Sequence, residues 1–262
     1  MATKHLSLTE YPQSAHLLWY PDDIVPVGIL AVDPGRNTGL AILHIERVAG
    51  KRDFEARGTA YSVSLPFAGL PVQPRGERTG RQQRFVSMDE AMREFGATVP
   101  MGIRLHHESL TPGLHMHYAA EEMHFVVSAP TILPTVRLEG QLCAALSRTF
   151  KFDTAHLFQT KEWRTSIGAQ KLKRAPAKLA ARHFVHGTFG EPAMPVTEDE
   201  YEAISIAWHC AHVLAREHEE ATGTDAKRAA IAGAQAKRGK KERAKRGRNT
   251  VLPDHLKDRI AG

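Results

Sequence analysis

The sequence predicts an α/β fold: a mixed five-stranded sheet with helices on both faces, followed by a basic C-terminal tail. Three observations carry that reading. Residues 25–32, Val-Pro-Val-Gly-Ile-Leu-Ala-Val, form a continuous apolar run of the kind found in strands buried on both faces. Two further strand-like segments follow over short links, so the chain opens as an antiparallel meander. Beyond residue 84, helix-like and strand-like segments alternate, an order that lays helices against both faces of a sheet.

Taken in order, residues 1–24, with Pro12 and Pro21, read as an irregular lead-in. The first strand ends in Asp33-Pro34-Gly35, which is turn chemistry. Residues 39–45 give a second strand, and residues 58–65, with alternating character, a third. Residues 66–83 are rich in Pro, Gly, Arg and Gln and read as a loop. A helix follows around residues 85–95, and residues 100–113 are ambiguous. Residues 115–121 are the fourth and least apolar strand. Val136, Leu138, Leu142, Ala145 and Leu146 have helical spacing within residues 135–150. Residues 154–158 make a short fifth strand, and residues 161–168 a loop around Trp163. A helix over residues 177–185 has a basic lead-in of Lys171, Lys173 and Arg174. Thr197 caps the last helix, residues 199 to about 219, and Glu198, Asp199 and Glu200 suit the positive end of its dipole. The body is thus one domain, residues 25–220, followed by the tail, residues 221–262.

Bulk properties exclude several classes. Hydrophobic residues make up 42% of the 262, enough for a sizeable core. No apolar run reaches the roughly 18 residues of a membrane span, and the N-terminus lacks an apolar signal core, so the chain is expected in the cytoplasm. Cys143 and Cys210 lie in apolar helical segments without a CxxC partner, which suits two reduced thiols and disfavours a cysteine zinc site. The net charge of +6 is unevenly placed: residues 221–262 hold twelve Lys and Arg against four acids, a net +8, and residues 1–220 net to −2. Such a block reads as a mobile basic arm able to grip a phosphate backbone, or as a solvated tail with no specific partner.

The chemistry is expected from carboxylates. Asp33 closes a buried strand at a Gly-containing turn, although alone it could be an Asx-turn residue. Glu121 and Glu122 end the fourth strand, and alternation lets only one of them share a face with Asp33. Asp199 and Glu202, at i and i+3, share one face of the last helix, ahead of the packing run Ala-Ile-Ser-Ile-Ala-Trp. Converging carboxylates repel one another unless a cation joins them. Hard oxygen donors suit Mg²⁺ or Mn²⁺, and two such ions can drive phosphodiester hydrolysis.

These segments resemble the RuvC family of Holliday junction resolvases. Val-Gly-Ile-Leu-Ala-Val-Asp-Pro-Gly-Arg-Asn-Thr-Gly-Leu-Ala looks like the family's opening strands. Tyr-Ala-Ala-Glu-Glu-Met-His-Phe is similar to its fourth-strand acid, with Glu121 the better match and Glu122 in reserve. Asp199-Glu200-Tyr201-Glu202-Ala203-Ile204-Ser205-Ile206-Ala207 is similar to its final acidic helix. The resemblance covers roughly residues 27–215. It implies an RNase H-like fold, and a homodimer making paired nicks at four-way DNA junctions. The catalytic and metal-holding set it implies is Asp33, Glu121, Asp199 and Glu202, with Mg²⁺ or Mn²⁺, two ions per site. Where this chain has Glu202 the family usually has Asp, the stretch between Gly50 and His117 is long and rich in Pro and Gly, and the lead-in and tail are additions. These departures point to a divergent, bacteriophage member.

Contacts to DNA are expected at Phe125, which could stack on an unpaired base or belong to the core. Lys161, Arg164, Lys171, Lys173 and Arg174 resemble the family's basic segment and are expected at phosphates, with a solvated face as the alternative. Trp163 and His209 read as packed residues. Two other functions fit less well: a broader branched-DNA or nonspecific nuclease on the same fold, and an actin-like-fold ATPase, which would need a second Gly-rich nucleotide loop that the sequence does not contain.

Overall fold

The computed structural model describes residues 6–17, 19–34, 37–51, 53–64, 88–108, 115–122, 129–194 and 196–222. The chain divides into two compact units, Met1–Ala215 and Arg216–Gly262. In the second, the described residues are the last turns of a helix, with Arg216 paired to Glu220 four residues on; residues 223–262 of the expected tail lie outside the described residues.

The first unit is a mixed sheet. Its core strands are β3 (Val27–Asp33), β4 (Asn37–Arg47), β5 (Phe54–Ser64), β6 (His115–Glu121) and β7 (Phe152–Phe158). β3, β4 and β5 are antiparallel neighbours, while β6 runs parallel to β3 and β7 parallel to β6. The sheet order β5-β4-β3-β6-β7, with helices on both faces, is the mixed α/β architecture expected from the sequence. The five expected strands are joined by two more, both antiparallel to β5: β1 (Leu6–Glu10) and β2 (Ala15–Leu17). They fall in the stretch read as irregular. Their backbone partners come from the edge of β5, which local sequence does not announce.

β3 is central, and its two sets of alternate side chains feed two cores. Ile29 and Ala31 face one layer with Ala41, Leu43 and Ile45 of β4. Helices α4 (Arg174–Phe189) and α5 (Glu198–Thr222) cover that layer through Ala181, Val185, Phe189, Ile204, Ala207 and Cys210. Leu30 and Val32 face the other layer. There, α1 (Met88–Glu108) contributes Phe95, Val99 and Ile103, and α2 (Ala129–Ser147) contributes Leu138, Leu142 and Leu146. α1 continues through Pro100 and takes up most of the stretch that was ambiguous in sequence. Residues 161–168, read as a loop, are largely a short helix, α3 (Thr160–Ser166), opened by a capping box between Gln159 and Glu162. Both cysteines are free. No helix among the described residues is long and apolar enough to cross a membrane.

Candidate metal centre

Strand register brings the first two acids to one place. β3 and β6 are parallel and pair Val32 with Ala120, so the following residues, Asp33 and Glu121, stand at neighbouring strand ends. Both belong to the alternation that includes Ala31 and Ala119, so both face the layer of α4 and α5. Glu122 falls on the opposite alternation and is exposed.

The start of α5 supplies the other two. Thr197 and Glu200 cap it reciprocally: the Glu200 amide donates to Thr197 Oγ1 at 3.4 Å, and the Thr197 amide donates to Glu200 Oε1 at 3.2 Å. This first turn lies directly on Gly39, the register partner of Asp33. A Cβ at Gly39 would stand 2.1 Å from the Asp199 carbonyl oxygen and 2.8 Å from the Glu200 nitrogen. Only a bare Cα permits this approach, and the approach sets Asp199 and Glu202 over Asp33.

One carboxylate oxygen from each of Asp33, Asp199 and Glu202 lies within 4.8 Å of the others. Asp33 and Asp199 are partly buried, and Glu202 is 7% exposed. Burial raises the Asp33 carboxyl well above the usual carboxylate range, and Glu202, Asp199 and Glu121 push it further while Lys178 opposes them. Burial also raises Glu202, against Lys178 and Arg164. The Lys178 ammonium lies 3.1 Å from Asp199 Oδ1, 3.4 Å from Glu202 Oε2 and 3.3 Å from Glu198 Oε2. Burial works against its charge, but Glu202 and Asp199 outweigh this and hold it above the usual lysine range. Arg164 Nη2 sits 3.6 Å from Glu202 Oε1, so each oxygen of Glu202 faces a cation. The three clustered oxygens are hard donors at one point, and three carboxylates against two cations leave net negative charge there, to which Glu121 adds. That donor set fits Mg²⁺ or Mn²⁺.

Glu121 is held differently. Thr160 donates its hydroxyl to Glu121 Oε1, and the Trp163 indole donates to Oε2 at 2.9 Å. Glu121 is close enough to add its repulsion to Asp33 and Glu202, but it is not in the three-residue group whose oxygens lie within 4.8 Å.

No protein-family model and no curated protein matches the chain. Among solved structures, one described as "Thermus thermophilus RuvC structure" aligns with 14% identity and a TM-score of 0.43, over 70% of this chain and 92% of that one. A second, "T. thermophilus RuvC in complex with Holliday junction substrate", aligns with 15% identity and a TM-score of 0.45, over 73% of this chain and 96% of that one.

The remaining expected residues are distributed unevenly. Lys161, Lys171, Lys173 and Arg174 are exposed, on α3, on the turn after it and at the first residue of α4. Arg164 is turned inward, with its side chain 17% exposed, against Glu202 and 5.2 Å over the Trp163 ring. Phe125 lies outside the described residues. His209 packs edge-on against Phe158 at 4.7 Å and is absent from the carboxylate group. The sequence reading missed Lys178. A lysine beside Ala177 and Ala181, buried one helical turn apart, marks the rim of the apolar stripe of α4, and that position was the available signal.

Proposed function

We propose that this protein is a divalent-metal-dependent, structure-selective endodeoxyribonuclease that acts on four-way DNA junctions by paired nicks. The observation that carries this reading is the convergence of Asp33, Asp199 and Glu202 at the C-terminal end of the central strand, with Glu121 beside them. Asp33, Asp199 and Glu202 would hold Mg²⁺ or Mn²⁺, and Glu121 would complete the set for two ions. When bound, the ions stabilise the charge that builds on a phosphodiester during hydrolysis. The protein's part is to fix the donors: β3 and β6 fix two by register, and α5, seated on Gly39, fixes the others. The exposed Lys161, Lys171, Lys173 and Arg174 would meet backbone phosphates and position the strand. A symmetric pair of nicks calls for a two-fold homodimer. We assign its interface to α2, whose outer side carries the exposed Arg137, Gly140, Ala144 and Ser147.

The test compares nicking of a four-way junction, a Y-fork and plain duplex in Mg²⁺, with wild type and Asp33→Asn. The expected result is preferential cutting of the junction by wild type. Asp33→Asn should lose cleavage by about 10²–10³-fold, a loss of oxyanion-stabilising size, while binding junctions as before. Equal cutting of all three DNAs would replace junction selectivity with a general nuclease. An Asp33→Asn protein that nicks at the wild-type rate would remove the metal centre altogether.

A further inference from the structure

We infer that Thr160 and Trp163 are positioning residues for Glu121: they lock its carboxylate in the direction in which it can take a metal ion, without neutralising it. The inference rests on the metal-centre reading above and goes beyond it, because neither residue is a metal donor of that reading.

The chain builds this lock from a very short connection. Glu121 pairs with Phe158 in the β6–β7 register, and the Glu122 amide donates to the Phe158 carbonyl at 2.7 Å. One residue later, at Gln159, the capping box starts α3, with the Gln159 amide donating to Glu162 Oε2 at 2.8 Å. α3 therefore begins beside the Glu121 carboxylate. Thr160, Trp163 and Arg164 stand at i, i+3 and i+4, which is one face of a helix. The first two take the two oxygens of Glu121, and the third reaches Glu202 at 3.6 Å. One short helix thus touches the carboxylates of both halves of the site.

The chemistry of the donors separates this from ordinary core packing. Trp163 is 0% exposed, so its ring has one orientation and its single N–H one direction. The Thr160 hydroxyl fixes the second oxygen, so rotation of the carboxylate breaks one bond or the other. Both donors are neutral. A lysine in their place would orient Glu121 equally well but would also cancel its charge and compete with an incoming cation. Neutral donors leave the full negative charge and the remaining lone pairs of each oxygen for the metal. Partners of this kind around metal ligands alter metal affinity or activity by roughly 10–100-fold when removed.

The experiment uses the full-length protein and has two readouts. The first needs no metal. The chain has three tryptophans, so its indole N–H region holds three signals in a ¹H–¹⁵N spectrum, and Trp163→Phe identifies one of them. Glu121→Gln, which removes the charged acceptor, is expected to move that signal upfield and leave the other two in place. The second is the Mn²⁺ dissociation constant by calorimetry. Thr160→Val and Trp163→Phe are each expected to weaken Mn²⁺ binding by about 10-fold or more, and Thr160→Ser, which keeps the hydroxyl, to bind within about 2-fold of wild type. Thr160→Val is nearly isosteric, so it carries the test even if Trp163→Phe unfolds. An indole signal indifferent to Glu121→Gln overturns the inference. So does Mn²⁺ binding that is weakened by Glu121→Gln but unchanged in Thr160→Val. If Glu121→Gln itself binds Mn²⁺ as wild type does, Glu121 is no ligand and the metal-centre reading fails at that residue, taking the positioning role with it.

Discussion

The two halves of the carboxylate site are built on opposite principles. Asp199 and Glu202, beside Asp33, are held by cations, Lys178 on both and Arg164 on Glu202. Glu121 is held by a hydroxyl and an indole, both neutral. A buried carboxylate needs partners, and charge and dipole both supply them. They differ in what happens when a divalent ion arrives. The ammonium of Lys178 stands where positive charge is wanted, so an ion entering the cluster competes with it. The donors on Glu121 compete with nothing. The same contrast appears in the electrostatics of the site, where Lys178 lowers the Asp33 carboxyl against burial and three acids. Lys178 therefore offsets the charge of Asp199 and Glu202, and Thr160 and Trp163 hold Glu121 without offsetting its charge.

Removing Lys178 should break this arrangement most visibly. Lys178→Met deletes the ammonium from a site where its side chain is 15% exposed and leaves Asp199 and Glu202 facing each other. Taking one partner from a buried ion pair costs about 3–5 kcal/mol. The metal-free variant is expected to melt well below wild type at pH 7. Added Mn²⁺ should recover more stability than it gives wild type, because binding to the folded state alone stabilises by an amount that rises with the logarithm of affinity. Loss of the donor in Thr160→Val should cost about 1.5–3 kcal/mol in the absence of metal, the range for a hydrogen bond to a charged group, and should weaken Mn²⁺ binding instead of strengthening it. Melting curves of both variants with and without MnCl₂ measure the two signs. A Lys178→Met protein that melts like wild type without metal would erase the distinction between the halves.

The elements that carry the four carboxylates were more legible in sequence than the residues that hold those carboxylates. The apolar run before Asp33 and the acids at the start of an amphipathic helix depend on local pattern, and in the structure they are a strand end and a helix start. Alternation alone left Glu121 and Glu122 open, and only the resemblance favoured Glu121; the parallel register of Val32 with Ala120 puts Glu121 beside Asp33, and register is a tertiary fact. Lys178 escaped because a lysine is ordinarily solvated, and only three acids from another helix make its burial tolerable. Helix α3 spans seven residues, about two turns, too short for periodicity to outweigh the Thr, Ser and Gly in and after it. Its spacing of Thr160, Trp163 and Arg164 was readable only once Glu121 was known to lie beside it. Arg164 is a related case: an arginine in a basic segment reads as a phosphate contact, and only the fold shows that it faces Glu202. β1 and β2 were missed because the edge of β5 completes them.

A smaller perturbation tests whether the cation-held half also depends on the seating of α5. Gly39→Ala places a methyl group 2.1 Å from the Asp199 carbonyl oxygen, so the first turn of the helix must move. Overpacking of this kind costs about 1–3 kcal/mol, and the displacement should weaken Mn²⁺ binding because Asp199 and Glu202 move away from Asp33 together. Gly58→Ala is the internal control. Its Cβ would meet Phe189 at 3.6 Å, an ordinary contact, on the strand beside β4. Calorimetric titration with Mn²⁺ should separate the two substitutions, with Gly58→Ala near wild type. Equal affinities in both variants would mean that the site tolerates a shifted helix and that Gly39 matters to packing alone.

The smallest effect on the site itself is expected from the C-terminal segment, whose charge resembles neither half. Deleting residues 225–262 removes twelve Lys and Arg and four acids, a loss of +8 in formal charge, and none of the four carboxylates or their partners. If the segment is an electrostatic arm, its contribution to DNA affinity comes from phosphate neutralisation, which is blind to structure and falls as salt rises. Truncation should then weaken binding to duplex and to a four-way junction by similar factors and flatten the salt dependence of both. The ratio of the two affinities, the Mn²⁺ dissociation constant and the cleavage rate at saturating DNA should stay close to wild type. Affinities measured across a salt series, with and without the segment, give all the needed comparisons. A selective loss of junction binding with duplex binding intact would assign the reading of branched structure to the segment, and the exposed lysines of α3 and of the turn before α4 would then have no special claim on the branch point.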